Sequence, residues 1–129
     1  MNNEELSKLI NEDLKISISS LETEWENQAL NYYKWSELLA ESQRKKMEAK
    51  IRLNAIEAKL DFDVRNNPEE YNLYKLTETV IKNAIITSSG YVEANLRYLD
   101  LVKNNDLLHA AVRSLEHKIS ALENLKLKT

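Results

Sequence analysis

Cysteine is absent from this chain, and glycine and proline occur once each. Without cysteine there is no disulfide, iron–sulfur cluster or thiol nucleophile to consider. So little glycine and proline leaves no material for tight turns, strand bulges or phosphate-cradling loops. No apolar run approaches the ~18 residues of a membrane-spanning helix, and the polar opening MNNEELSKLINEDLK is no secretory signal. A soluble, cytoplasmic protein with no membrane contact is expected. A serine elbow, a Walker loop and a dinucleotide fingerprint are missing too, so no enzyme is expected and no cofactor. What is abundant is leucine, alanine, glutamate and lysine, with 30% charged residues in a chain of 129. That composition predicts few, long helices within a single helical domain spanning 1–129.

Residues 1–18 read as an acidic amphipathic helix with Leu6, Leu9, Ile10 and Leu14 on one face, before the β-branched run ISISS weakens it. Ser19 or Ser20 could cap a second helix over 20–64. There a 4/3 spacing runs through Leu21, Trp25, Gln28, Tyr32, Trp35, Leu39, Ser42, Lys46, Ala49, Leu53, Ile56 and Leu60. Nine of these twelve are apolar, the repeat of a coiled coil or long bundle helix of roughly 60 Å. Asn67-Pro68 ends it, because proline lacks a donor and disfavours helix at the residue before. A connector over 65–76 follows, then a short helix over 77–86 capped by Thr77, a break at TSSG, and a last helix over 90–125. That helix carries Leu101, Leu108, Ala111, Leu115, Leu122 and Leu125 on a second seam, interrupted by Asn104 and Lys118. The expected fold is all-α, an elongated, coiled-coil-like helical hairpin with short accessory helices. It should oligomerise through seam residues Leu39, Leu53, Ile56, Leu60, Leu108, Leu115 and Leu122.

His109 and His117 are eight residues apart on one helix, too far to share a metal ion, so no metal site is expected. The charge pattern says more. In a chain of net charge -3, Arg44, Lys45, Lys46, Lys50, Arg52 and Lys59 face only Glu48 and Glu57 between positions 44 and 59. Lys45, Arg52 and Lys59 are seven residues apart, a row of cations at ~10 Å intervals beside the apolar seam. Such a row can track a phosphate backbone. It can equally be the flank of a coiled coil, pairing with glutamates of a partner helix. Lys46 lies on the seam itself, where a polar residue either sets register or marks where the helix leaves its partner. In NYYKW at 31–35, Tyr32 and Trp35 fall on the seam and suit packing, whereas Tyr33 and Lys34 lie off it and suit exposure to a base or phosphate.

Taken in order, YYKW, the basic helix ending AIEAKLDFD, KLTETVIKNAI and AAVRSLEHKISALENL resemble the UvsY-like recombination mediator proteins of phages. The resemblance covers residues 24–125. It implies a small, helical homo-oligomer that binds single-stranded DNA and helps load a RecA-like recombinase onto DNA covered by single-strand-binding protein. The family's signature has two basic residues ahead of an LD-aromatic element. Lys59, before Leu60-Asp61-Phe62, matches the second, and Glu57 stands at the first. The resemblance implies Lys59 as a nucleic-acid contact; the charge row adds Lys45, Lys50 and Arg52 as expected contacts, with Arg44, Lys46, Lys34 and Tyr33 beside them. From its charge alone, the acidic N-terminal helix is expected to meet a partner protein. The alternative is a coiled-coil adaptor or assembly scaffold that makes no contact with DNA.

Overall fold

The structure, a computed structural model, describes residues 2–13 and 21–128, with side chains at 2–13 and 23–125. The anticipated cap at Ser19 or Ser20, and Leu14, lie outside the described residues. Among the described residues the fold is all-α, with four helices and no strand: α1 Asn3–Asp13, α2 Leu21–Asn66, α3 Glu78–Ile86 and α4 Ser89–Lys128.

Local chemistry accounts for most of the boundaries. The Asn2 side chain accepts from the Glu5 amide at 2.8 Å, an N-cap, with Glu4 and Glu5 in the first turn facing the positive end of α1. Beyond α2, Pro68 opens a single 3-10 turn, Pro68–Tyr71, which Asn72 closes at φ 56, a left-handed conformation that asparagine tolerates. Thr77 caps α3 by accepting from the Val80 amide at 3.2 Å. At the other end of α3 the Thr87 hydroxyl bonds the Asn83 carbonyl at 2.7 Å, and the Ser88 carbonyl takes the Val92 amide to begin α4.

Contacts divide the chain into two compact units, one of residues 1–44 with 102–129 and one of residues 45–101. Both long helices contribute to each. In the first unit α1, α2 and α4 enclose Leu6, Trp35, Leu108, Val112 and Leu115. Here α2 and α4 run antiparallel: Tyr32 donates to Glu116 at 3.1 Å, and ten residues later Ser42 donates to Asn104 at 2.9 Å. The second unit closes Val64 of α2 over Ile81 and Ile85 of α3, with Tyr71, Leu73 and Tyr91 against them. Arg65 ties the same two helices, reaching Asp61 at 3.0 Å and Glu78 at 2.9 Å.

The 4/3 seam of α2 is visible residue by residue. Gln28, Trp35, Ser42 and Leu53 are buried, Trp25, Tyr32, Leu39, Lys46, Ala49, Ile56 and Leu60 half-buried, and Val64, four residues beyond Leu60, is buried in the core of the second unit. On α4, of the two polar residues that interrupt the apolar pattern, Asn104 is half-buried and Lys118 buried. Asn104 joins Ser42 to Asn3, and Lys118, 5% exposed, meets the Asp13 carbonyl at 2.9 Å and Glu24 at 3.5 Å. Burial of these groups is tolerated because each has partners.

Candidate nucleic-acid interface

The basic helix predicted from sequence is the part of α2 that enters the second unit. Three residues of it form a row. Seven-residue spacing on a helix of 3.6 residues per turn brings Lys45, Arg52 and Lys59 to nearly the same angular position, about 80° from the seam. All three are exposed, and among the described residues none has an ion-pair partner. The row exists because the seam beside it is occupied: Leu53, Ile56 and Leu60 turn inward and leave the flanking positions in solvent.

The remaining basic candidates are engaged within the chain. Lys50 lies on the opposite flank of the seam, its ammonium 5.1 Å from the centre of the Tyr98 ring. Lys46 is half-buried on the seam. Arg44 pairs with Glu41 one turn before it, an i,i+3 contact. Lys34, in the first unit, reaches Asp13 at 2.9 Å and stands 4.7 Å from the centre of the Trp35 ring. Of the aromatic cluster, Trp35 is core and donates its indole N–H to Asp13 at 2.6 Å. Tyr33 points outward, 69% exposed. The structure therefore groups Lys45, Arg52 and Lys59 and separates Lys34 and Tyr33 from them, in the other unit. The seven seam leucines and isoleucine expected to join subunits, Leu39, Leu53, Ile56, Leu60, Leu108, Leu115 and Leu122, are buried or half-buried within this one chain. His109 and His117 are both exposed.

One surface feature escaped the sequence reading. Met47, Ile51, Ala55, Ala58 and Phe62 are all exposed and follow a 4-4-3-4 spacing, roughly half a turn from the seam. Met47, Ile51 and Phe62 are 60%, 68% and 66% exposed. The signal was in the sequence as a second helical stripe, masked by the stronger seam. Glu57, at the position where the family signature has a base, lies on the far side of the seam from the row. It lines a cleft of about 320 Å³ with Asp61, Glu78, Ile81 and Tyr91. The Glu78 carboxylate, and then Asp61, hold the Arg65 guanidinium above its ordinary pKa.

The crystal structure of the bacteriophage T4 recombination mediator protein UvsY matches this chain with a TM-score of 0.82, covering 98% of this chain and 94% of that one. This chain has the UvsY fold. The two share 16% sequence identity, so the match is one of backbone arrangement. No protein-family model and no curated protein matches the sequence. Within the UvsY fold, the AIEAKLDFD segment forms the last turns of α2. Lys59 faces solvent there, Leu60 packs against the second core, Asp61 holds Arg65, and Phe62 is exposed. No helix among the described residues is long and apolar enough to cross a membrane.

Proposed function

We propose that this protein is a non-enzymatic recombination mediator that binds single-stranded DNA and helps load a RecA-like recombinase onto strands covered by single-strand-binding protein, in the cytoplasm. The observation that carries this reading is the row of Lys45, Arg52 and Lys59, exposed and without ion-pair partners among the described residues, on a chain with the UvsY fold. Had these residues been coiled-coil flanks serving glutamates of the same chain, they would be paired, as Arg44 and Arg65 are. A row of fixed spacing on one helix follows a phosphate backbone without reading bases. Self-association would repeat the row and let weak contacts add. The heptad seam is buried or half-buried within the chain, and the outer stripe of Met47, Ile51 and Phe62 offers a further, exposed surface for that association.

The test is labelled single-stranded DNA titrated with the protein at two salt concentrations, with duplex as control. Salt-sensitive binding that prefers single strands is expected. The triple variant Lys45→Glu, Arg52→Glu, Lys59→Glu should lose at least about tenfold in affinity while keeping its helical content. Equal binding by a folded triple variant would remove the row from the interface. The exposed apolar stripe also favours a second reading, an assembly scaffold that joins proteins through this face and ignores DNA. Under it, no anisotropy change with DNA occurs even at low salt.

A further inference from the structure

The first unit contains a groove that is already filled, and its occupant shows what it recognises. α1 lies between α2 and α4, inserting Leu6, 2% exposed, among Trp35, Leu108 and Leu115, with Ile10 half-buried behind it. At the end of α1 three donors converge on one residue. The Asp13 carboxylate accepts from Lys34 Nζ at 2.9 Å and Trp35 Nε1 at 2.6 Å, and the Asp13 carbonyl accepts from the buried Lys118 Nζ at 2.9 Å. At the other end Asn104 donates to Asn3 at 3.4 Å. The groove is thus apolar in the middle and cationic at one end, and it reads a helix with aliphatic residues at i and i+4 and a carboxylate at i+7. A buried ammonium on the last carbonyls of a helix also complements the negative end of the helix dipole.

α1 holds this position on slender terms. Its eleven residues are too few for a stable helix alone, and they bury one side chain completely. Leu9 and the carboxylates of Glu4, Glu5 and Glu12 are exposed. The segment that opens most readily from a fold is one with few buried apolar contacts. Opening would release Lys34 and the Trp35 edge from the Asp13 carboxylate and take the Asp13 carbonyl from Lys118, which keeps Glu24.

We propose that this groove is a docking site for an acidic amphipathic helix of a partner protein, and that α1 is the internal occupant it displaces. The partner helix carries aliphatic residues four apart and a carboxylate three residues further on. A second copy of this chain offers the same α1, and no better fit. Only seven residues separate Asp13 from Leu21, so a chain's own α1 competes at an effective concentration of about millimolar. Displacement therefore calls for a helix that fills the groove more completely than Leu6 and Ile10 do.

The test uses the full chain, labelled with nitrogen-15, and an unlabelled peptide with the sequence of residues 2–13. The Trp35 indole N–H resonance reports occupancy. Leu6→Ala in the chain weakens the internal occupant, so this variant should bind the peptide at least tenfold more tightly than the unmodified chain. A peptide carrying Leu6→Ala and Asp13→Asn should bind at least tenfold more weakly. Equal affinity of the two peptides, or no binding to either chain, overturns the proposal. Hydrogen exchange on the unmodified chain is independent of how the variant folds. Amides 6–13 should exchange at least a hundredfold faster than those of 108–118, and equal protection overturns the proposal. A concentration-dependent dimer that the peptide dissociates would assign the groove to α1 of a second copy, which also overturns the partner reading.

Discussion

Lys118 illustrates how one residue can change its meaning between sequence and structure. In the sequence it interrupts an apolar seam. In the fold its side chain is almost fully enclosed, with Glu24 and the Asp13 carbonyl as partners. Removing one member of a buried pair strands the other in a poorly solvated site, and this is costly. Lys118→Ala should therefore destabilise the protein by about 3 kcal/mol in urea unfolding. Combining it with Glu24→Gln should return part of that loss. Gln28, buried on the adjoining turn, donates to Glu24 at 3.3 Å and belongs to the same polar layer. Arg65 shows the surface version of such pairing. Its raised pKa favours the folded state at every pH below the guanidinium range, and that contribution fades only as pH climbs above it. Near neutrality Arg65 adds no pH dependence.

Helix α2 bears two apolar stripes with different duties, and two neighbouring residues separate them. Leu53 is buried on the seam, whereas Ile51 stands on the outer face. Leu53→Ala should cost about 2–5 kcal/mol of stability, measured by thermal or chemical unfolding. Ile51→Ser should change it by about 0.5 kcal/mol or less. If the outer face mediates self-association, Ile51→Ser should also lower the mass observed by light scattering. At the start of α3, Thr77→Ala removes the acceptor of the Val80 amide and should cost about 1 kcal/mol. The penalty should appear as faster hydrogen exchange in the first turn of α3.

Over the whole molecule, charge is distributed unevenly. The unit of residues 45–101 holds nine basic and nine acidic residues, so the excess of acid resides in the other unit. On the proposed reading, a neutral unit would bind DNA through a local row rather than a long-range field, and three cations without an ion pair among the described residues would make a small, countable contact. Each phosphate contact on single strands adds about 0.7 to the slope of log affinity against log salt. The triple charge-reversal variant should therefore flatten that slope by about 2. An unchanged slope with lowered affinity would point to an altered assembly rather than lost phosphate contacts.

The seam of α2, the stop at Pro68, the Thr77 cap and the all-helical class were legible in the sequence, because each depends on residues within a few positions of one another. Helical periodicity, a missing donor and a side chain that caps an amide are local facts. Which basic residues would remain unpaired was not legible. Their seven-residue spacing marks Lys45, Arg52 and Lys59 as a row, but nothing in the sequence says that Lys34, Lys50 and Arg44 would be engaged and the row would not. The distinction came from Asp13, Tyr98 and Glu41 engaging the second group, while the first forms no ion pair among the described residues. In the same way, periodicity showed that the seam needed a partner without saying whose. The tertiary structure filled it from the same chain, because α4 presents a seam of matching spacing, and so left the outer stripe of α2 in solvent. Local spacing decided what each helix could bury; contacts between residues far apart in the chain decided which charges and which apolar face were left over.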